Sequence, residues 1–328
     1  MLLPGNDPAA VEAAAQRIQA GELVAFPTET VYGLGADASS DVAVAKIFAA
    51  KGRPADHPLI VHVASAAQVS HYASEVPPFA QRLIDTFWPG PLTVILPRRS
   101  GVATTAAGGQ NSIGLRCPAH PVALALLAAC KTGIAGPSAN RFGRVSPTTA
   151  AHVVSEFGEA LMVLDGGPCA VGIESSIVDC TRSQPVLLRP GVLTLEQLAA
   201  ACGQPVLSAH DSAHALPSAT PRAPGTLESH YAPNAKVRLM DAKAIQTALD
   251  LLGADAAHIA VYARTIVRIR SERVRYRRMP DDALATAQQL FAVLRDFDAH
   301  GVKLIWIENL PEGREWDGVC DRLARAAA

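Results

Sequence analysis

Two short pairs of polar residues stand at the ends of apolar segments and have side chains suited to holding phosphate. Lys51 and Arg53 are separated by one glycine at the end of a predicted helix, and Ser138 and Asn140 bracket one alanine in a Gly-Pro loop. Cationic groups donate charge-assisted hydrogen bonds to phosphate oxygens. Each pair also has a plainer interpretation: a solvated helix end for the first and an ordinary turn for the second.

Two further residues lie in or after apolar strands. His62 interrupts the run 59–63, where a histidine is more often a core residue than a ligand. Arg116 follows 113–115, and its guanidinium could clamp a carboxylate through two parallel hydrogen bonds. Glu29 and Asp37 are too unspecific to be assigned as acid and base. Taken singly, none of these residues defines a site.

The common nucleotide and catalytic motifs are absent from the sequence. It has no Gly-Lys-Ser/Thr phosphate loop and no Gly-x-Ser-x-Gly elbow. The segment 33–35 begins a Gly-x-Gly pattern but lacks the third glycine of a dinucleotide site. The six cysteines include no Cys-x-x-Cys pair and have no partners spaced for zinc, which predicts reduced thiols and no protein metal site.

The elements that must position these residues alternate between strands and helices with uneven connections, which predicts an α/β fold with a mixed sheet. Strands are predicted at 23–26, 59–63, 92–96, 113–116, 162–164, 176–178, 186–188, 237–240, 259–262 and 304–307. Helices are predicted after Asp7 and at 41–50, 79–87, 122–130, 244–252, 283–297 and 316–326.

Several element boundaries carry their own signals. Asp7 is a predicted N-cap, and Thr194 with Gln197 three residues later predicts a capping box. Ser146, followed by a proline, predicts the start of another helix. The segment 28–35 is rich in hydroxyls and glycine and is predicted as a loop.

Length and composition indicate two domains and a linker. The chain has 328 residues, of which 49% are hydrophobic, enough for two cores. Residues 208–235 shift toward Ser, Ala, His and Pro, so the predicted domains are 1–207 and 236–328.

Charge and segment composition restrict the class of protein. The formal net charge is -1, which argues against a protein whose main task is coating nucleic acid. No apolar stretch is long enough to cross a bilayer, and the N-terminus lacks the pattern of a secretory signal. The sequence therefore predicts a soluble cytoplasmic protein with no membrane partner.

Taken together and in order, the motifs resemble the YrdC-like family in its long, two-domain form. They are FPTETVYGLG (26–35), KGRP (51–54), HPLIVH (57–62), WPGPLT (88–93), GLRCP (114–118), PSAN (137–140), LRPG (188–191), PG (224–225) and HYAP (230–233). The resemblance covers about the first two hundred residues and extends into the linker. It implies a twisted mixed sheet with flanking helices, then a small Rossmann-like α/β domain.

The resemblance also implies a reaction. L-threonine, bicarbonate and ATP, with Mg²⁺, would give threonylcarbamoyl-adenylate and pyrophosphate, which makes the protein a nucleotidyltransferase. A separate transferase complex would then move the threonylcarbamoyl group to tRNA. Two other functions stay open: an RNA-binding or ribosome-associated module using the same cationic cleft, with weak RNA binding possible beside the enzyme activity, and a carbamoyl-transfer enzyme.

Matching the family motifs residue by residue implies the two halves of a site. The ATP half would contain Lys51, Arg53, Ser112, Ser138, Asn140, Ser146, Arg189 and Tyr231. The threonine and bicarbonate half would contain Thr30, Tyr32, His62, Arg116 and Ser176. Of these, Tyr231 lies in the predicted linker and is expected to reach back over the nucleotide. One departure from the pattern is that 225–229 lacks the basic residue that some members carry there.

Overall fold

The computed structural model describes residues 1–208, 221–225, 230–265 and 267–328, and the chain divides into two compact units. The first unit comprises Met1–Phe142 and Ser146–Thr226, and the second comprises Gly143–Val145 and Leu227–Ala328. The main division therefore falls inside the predicted linker, 208–235. The predicted domain boundaries themselves stay predictions, because the short segment 143–145 also joins the second unit.

The first unit is built on a mixed sheet of eleven strands within the described residues, in the order β1-β8-β2-β3-β7-β4-β6-β5-β9-β10-β11. Its strands are β1 (Leu2–Pro4), β2 (Val24–Phe26), β3 (Gly33–Asp37), β4 (Ile60–His62), β5 (Leu92–Pro97), β6 (Ser112–Arg116), β7 (Ile134–Ala135), β8 (Met162–Asp165), β9 (Ser176–Asp179), β10 (Val186–Arg189) and β11 (Leu207–Ser208). The sheet contains both parallel and antiparallel pairs, so the predicted mixed sheet is confirmed.

The described helices of this unit are α1 (Pro8–Gln19), α2 (Asp41–Lys51), α3 (Val69–Tyr72), α4 (Pro78–Phe87), α5 (Pro121–Cys130), α6 (Ala150–Phe157) and α7 (Leu195–Cys202). Apart from α6, the helices predicted for this unit lie close to their predicted positions, and α3 was not predicted. Asp7 accepts from the Ala9 amide at 2.9 Å, and the capping box of Thr194 and Gln197 is present. Both predicted caps are confirmed.

The exception is α6, whose predicted start at Ser146 is wrong. Thr149 is the N-cap, and its side chain accepts from the His152 amide. The Ser146 hydroxyl instead donates to Glu174, and the Pro147 carbonyl accepts from the Tyr32 amide at 2.9 Å. The backbone at 146–147 is therefore tied to neighbouring segments rather than to a helix.

The two faces of the central strands differ in character. Val61 of β4 and Leu115 of β6 belong to the main apolar core of the unit. Their chain neighbours His62 and Arg116 point to the opposite face, because side chains alternate along a strand. Since β4 and β6 are parallel and pair His62 with Arg116, polar groups from separate parts of the sequence meet on that face.

The second unit contains a smaller, parallel sheet in the order β12-β15-β13-β14. Its described elements are β12 (Lys236–Met240), α8 (Ala242–Leu252), β13 (Ile259–Ala263), β14 (Arg275–Arg278), α9 (Ala283–Ala299), β15 (Leu304–Glu308) and α10 (Asp317–Ala327). This agrees with the expected small α/β domain. None of the helices in the described ranges has the length and apolar character needed to cross a membrane.

Candidate active site

Lys51 is the last residue of α2 and is held by the loop that contains the second polar pair. Its Nζ donates to the Ser138 carbonyl at 2.5 Å and also to the Asn140 carbonyl. Gly52 ends the helix with a left-handed φ of 64°, which turns the chain after Lys51. The two sequence pairs are therefore in direct contact, although the loop contributes backbone carbonyls rather than its hydroxyl and amide.

Burial makes the Lys51 ammonium electrostatically unusual. The residue is 3% exposed, and desolvation, followed by repulsion from Arg53, lowers its pKa well below the usual value. Glu156 and Glu174 oppose this shift, yet Lys51 forms no ion pair within the described part of the chain. A buried cation surrounded by carbonyls and a second cation is well suited to receive an anion.

Arg53 comes directly after Gly52, the C-cap of α2, and is also buried. Its Nη2 donates to the Pro58 carbonyl at 2.9 Å, and its guanidinium carbon lies 5.5 Å from the centre of the Phe142 ring. The Phe142 amide in turn donates to the Lys51 carbonyl at 2.9 Å. The loop 138–142 therefore contacts both cations of the Lys-Gly-Arg motif.

Arg116, at the end of β6, is fixed from three directions. Its Nη1 donates to the Thr30 hydroxyl at 2.8 Å, its Nε donates to the Gly90 carbonyl at 3.3 Å, and its Nη2 lies 2.6 Å from Glu29 Oε1. Glu29 also accepts from the Ala119 amide at 3.0 Å. Because the ion pair is almost fully buried, the guanidinium is held in one orientation beside Thr30.

His62 is held by Gly136 and kept neutral. Its Nε2 is 3.1 Å from the Gly136 carbonyl, so the hydrogen on Nε2 leaves Nδ1 as an acceptor. Within the described residues this buried Nδ1 has no hydrogen-bond partner. Burial, then the nearby Arg116 charge, lowers the pKa of His62 to about 3.

The Phe26 ring packs against this histidine. Phe26 meets the His62 ring edge-on with 5.6 Å between ring centres. Added Cβ atoms at Gly33, Gly35 and Gly136 would lie 2.9–3.1 Å from the Phe26 ring. The Phe26 ring therefore fills the space that side chains at these glycines would need.

Ser176 begins β9 and is completely buried. Its amide donates to the Pro91 carbonyl at 3.0 Å, whereas its hydroxyl has no hydrogen-bond partner in the part of the chain that the structure describes. The neighbouring Ser175 carbonyl accepts from Arg189 Nη2 at 2.8 Å. Arg189 and Ser176 are thus brought close together through Ser175.

Ser146 is fully buried, and its hydroxyl donates a hydrogen bond to Glu174. The negative charge of Glu174 in turn raises the pKa of Lys51. This arrangement connects Ser146 with the Lys51 neighbourhood. Ser112 lies at the amino end of β6, four residues before Arg116. It lines a small cavity with Pro58, the residue whose carbonyl holds Arg53.

The Tyr32 hydroxyl is hydrogen-bonded to backbone groups of the protein. The group donates to the Gly167 carbonyl at 2.8 Å and accepts from the Gly166 amide at 3.2 Å. The Tyr32 ring also belongs to the apolar core, and burial raises its pKa. Its position beside Thr30 in the chain does not bring its hydroxyl to Arg116, and its role toward substrate stays a prediction.

Tyr231 lies in the second unit. Its ring stacks on Phe291 with 5.5 Å between centres, and the Arg322 guanidinium lies 5.2 Å from the ring centre. It is 1% exposed and has a left-handed φ of 61°. The predicted position over a nucleotide stays a prediction.

Part of the predicted linker is described within the first unit. The Pro224 carbonyl accepts from Arg189 Nη1 at 3.0 Å, and Arg222 pairs with Asp56 at 2.5 Å. The departure noted at 225–229 falls mostly outside the described residues.

Two acidic residues matter to this geometry and were not chosen from the sequence. Glu29 fixes Arg116, and Glu174 joins Ser146 to the surroundings of Lys51. A carboxylate in the apolar, hydroxyl-rich segment 26–35 was a usable signal for Glu29, because a buried acid needs a cationic partner. Glu174 precedes two serines and a strand, and no sequence pattern separated it from a surface acid.

Comparison with known proteins decides the family. Residues 16–191 match the Sua5/YciO/YrdC family, described as telomere recombination, and residues 193–328 match the threonylcarbamoyl-AMP synthase C-terminal domain. The chain belongs to the Sua5/YciO/YrdC family. The predicted family and its two-domain form are therefore confirmed.

Several relatives match this Sua5-type chain over almost its whole length. A threonylcarbamoyl-AMP synthase of Pyrococcus abyssi is 39% identical, covering 97% of this chain and 94% of the relative. One of Bacillus subtilis is 37% identical over 99% of this chain and 94% of its own length. The crystal structure of P. abyssi Sua5 complexed with L-threonine superposes with a TM-score of 0.88 at 38% identity, covering 98% of this chain and 95% of that one.

These matches bear on the sequence predictions in different ways. The predicted mixed α/β fold is confirmed by the structural likeness. The relatives' function agrees with the predicted synthase and not with the RNA-binding alternative. The roles of individual site residues stay predictions.

Proposed function

We propose that this chain is a threonylcarbamoyl-AMP synthase that joins L-threonine, bicarbonate and ATP into threonylcarbamoyl-adenylate and releases pyrophosphate. The observation that carries the proposal is the buried Lys51 ammonium, which lies beside Arg53 and, among the described residues, donates hydrogen bonds only to backbone carbonyls. A cation in that setting is stabilised by an arriving polyanion such as a triphosphate.

The ATP half of the site would be formed around these two cations. Lys51 and Arg53 contact the loop that contains Ser138 and Asn140, so one phosphate group can meet both motifs. Arg189 and Ser112 would extend the contacts along the same sheet, and Ser146 is connected to this region by Glu174.

The threonine half would be formed by His62, Arg116, Thr30 and Ser176. Arg116 is the cation for the amino-acid carboxylate, because the Glu29 pair already holds it in place. Neutral His62 offers Nδ1 as an acceptor for the threonine ammonium or hydroxyl. The buried Ser176 hydroxyl, unpartnered within the described ranges, can serve the same ligand.

The reaction needs positioning and charge neutralisation more than a protein nucleophile. The threonine amine and bicarbonate condense to a carbamate with loss of water. A carbamate oxygen then bonds to the α-phosphorus as the bond to the bridging oxygen of pyrophosphate breaks. The Cys117 thiol, next to Arg116, is poorly suited to act as a nucleophile, because burial raises its pKa to about 11. Fixed cations at the phosphates lower the barrier.

Magnesium would enter with ATP. Among the described residues, no group of three or more His, Cys, Asp or Glu side chains is arranged to hold a metal ion. Mg²⁺ commonly binds substrate phosphates and one or two carboxylates and keeps several waters. Glu174, one of the two carboxylates whose charges raise the pKa of Lys51, fits that limited role. When bound, the ion would neutralise triphosphate charge.

The product would pass to a transferase that acts on tRNA, in the cytoplasm. A threonylcarbamoyl-adenylate is a mixed anhydride that water destroys, so a downstream acceptor has to be close at hand. The buried free thiols are compatible with a reducing compartment.

Pyrophosphate release tests this function directly. We expect release from ATP only when threonine and bicarbonate are both present, together with a threonine-containing adenylate detectable by mass spectrometry. Serine in place of threonine serves as the matched substrate control. ATP turnover that ignores threonine, or adenylate formation without carboxylation, would refute the proposal.

A further inference from the structure

An arginine-rich segment of the second unit has no part in the proposed reaction. Residues 264–278 contain seven arginines and one acid, Glu272, in a chain whose formal net charge is -1. The segment contains no lysine. The net charge of the whole chain, which is close to zero, therefore gives no sign of this strongly basic region.

The structure places the end of this segment on the open edge of a sheet. β14 pairs only with β13 among the described strands, and its four residues, Arg275–Arg278, are all exposed. Side chains alternate along a strand, so Arg275 and Arg277 share one face while Tyr276 and Arg278 share the other. Tyr276 is 39% exposed, which leaves an aromatic ring accessible within the cationic strand.

The existing acidic partners hold these arginines weakly. Arg270 and Arg273 each lie 3.9 Å from an aspartate, and Arg278 lies 3.4 Å from Asp281, with all three side chains more than half exposed. Arg268, Arg275 and Arg277 form no ion pair within the described ranges. Such surface pairs contribute little and exchange readily for a polyanion.

We propose that this arginine edge, defined as Arg268, Arg270, Arg273 and β14, binds the phosphate backbone of a folded RNA. Guanidinium groups match phosphate oxygens with two parallel hydrogen bonds, and weak hydration favours arginine over lysine in nucleic-acid contacts. An exposed tyrosine among the arginines supplies a ring on which an unpaired base can stack. The residues of this surface belong to the second unit, whereas Lys51 belongs to the first, and the proposal does not depend on the chemistry at Lys51.

Protection of the sheet edge is a simpler explanation for part of the pattern. Charged side chains on an edge strand prevent pairing with other chains. That explanation covers β14 but not Arg268, Arg270 and Arg273, which precede the strand. The charge extends along the surface beyond what edge protection requires.

The test measures binding of a transcribed tRNA by fluorescence anisotropy at several KCl concentrations. We expect the double substitution Arg275→Gln/Arg277→Gln to weaken binding about tenfold or more. It should also reduce the slope of log K against log salt by about 2, roughly one for each lost phosphate contact. Tyr276→Ala should weaken binding with little change in that slope.

The opposite edge of the same sheet offers a matched control. Lys236 and Arg238 of β12 are exposed with the same spacing, and Lys236→Gln/Arg238→Gln should leave RNA affinity near the parent value. A third variant, Arg268→Gln/Arg270→Gln, leaves the strand intact and is expected to weaken binding if the strand variant fails to fold. Thermal unfolding checks all variants.

Two outcomes would overturn the proposal. One is equal RNA affinity in the parent and in folded arginine-edge variants. The other is preferential binding to anionic phosphatidylserine vesicles, because Leu251 is 83% exposed and follows Asp250, the partner of Arg270. Tighter binding of tRNA than of such vesicles, with loss in the edge variants alone, supports the proposal.

Discussion

His62 and Arg116 are register partners at the carboxyl ends of the parallel strands β4 and β6. The pairing places a neutral imidazole beside a buried guanidinium, and the guanidinium helps to keep the imidazole neutral. A carboxylate held by Arg116 would therefore have an uncharged acceptor, His62 Nδ1, next to it. This adjacency is the structural basis for the proposed threonine half of the site.

The pKa of His62 predicts a specific acid sensitivity. The pKa is about 3 in the folded protein and near 6.5 in the unfolded chain, so the unfolded chain binds one more proton between these values. The free energy of unfolding should fall as pH drops from 6.5 toward 3, by up to about 1.4 kcal/mol per pH unit from this residue.

Chemical denaturation of the parent and of His62→Gln across that pH range measures the effect. The free energy of unfolding of the variant should depend on pH with about one proton fewer than that of the parent. Plotted against pH, the two free energies should run parallel above pH 6.5. Curves that stay parallel down to pH 4 would contradict the assigned protonation.

Lys51 predicts that ATP binding takes up protons. Burial and Arg53 lower the pKa of Lys51 in the free protein, and phosphate charge would raise it, so binding adds a proton at pH values between the two pKa values. ATP affinity should therefore decrease as pH rises through the free-protein pKa. Calorimetry in buffers of different ionisation enthalpy measures the uptake.

Lys51→Arg is the control for this linkage, because a guanidinium stays protonated. Protonation of ATP itself is common to both proteins and cancels in the comparison. Identical proton uptake in the two proteins would exclude Lys51 as the group that responds.

Removing either cation should lower activity. Lys51→Ala or Arg53→Ala removes a charge-assisted phosphate contact, which we expect to cost about 1.5–3 kcal/mol, or roughly 10- to 150-fold in kcat/KM for ATP. Steady-state pyrophosphate release measures this, and thermal unfolding separates it from loss of the Lys51 contacts with the 138–140 loop. Parent-like turnover in either variant would exclude that residue from the site.

Ser176 predicts opposite effects on stability and binding. Its hydroxyl is buried without a partner among the described residues, so Ser176→Ala should leave the free energy of unfolding unchanged or raise it by about 1 kcal/mol. Threonine KM should rise about tenfold, with ATP KM little changed. Thermal unfolding and steady-state kinetics provide both values.

Thr93→Val is the matched comparison, because the Thr93 hydroxyl does have a partner, Ser175 Oγ at 2.8 Å. This variant should lose about 1 kcal/mol of stability. If Ser176→Ala destabilises the protein as much as Thr93→Val, the Ser176 hydroxyl makes a stabilising contact within the protein, which would contradict its proposed role in binding threonine.

The buried pair of Glu29 and Arg116 predicts a large stability effect. Glu29→Gln leaves the buried guanidinium without its counter-charge, and we expect a loss of about 3–5 kcal/mol with weaker threonine binding. The exposed pair of Arg17 and Glu22 provides the contrast, since Glu22→Gln should change stability by only about 0–1 kcal/mol. Denaturant titration compares the two, and equal effects would contradict the role given to burial.

Sequence signals located most helices and strands because apolar runs and caps act locally. Thr194 and Gln197 predicted a capping box that is present. Ser146 failed as a cap because its partner, Glu174, is distant in sequence. β3 was predicted as part of a loop because its glycines have weak strand propensity, and the contact with Phe26 that favours glycine there is not local.

The arginine strand β14 was missed for a related reason. A strand is recognised by an apolar face, and all four residues of β14 are exposed. The motifs singled out Lys51 and Arg116 as candidate site residues. Their contacts with the carbonyls of Ser138 and Asn140 and with the carboxylate of Glu29 appear only in three dimensions.

The Phe26 ring limits how the surroundings of His62 can change during evolution or engineering. Larger residues at Gly33, Gly35 or Gly136 would meet that ring, and those at Gly136 would also meet His62. A library aimed at accepting other amino acids gains nothing from these positions. Altered side-chain preference should first be selected from diversity at Thr30 and Ser176, whose hydroxyls belong to the proposed threonine half of the site.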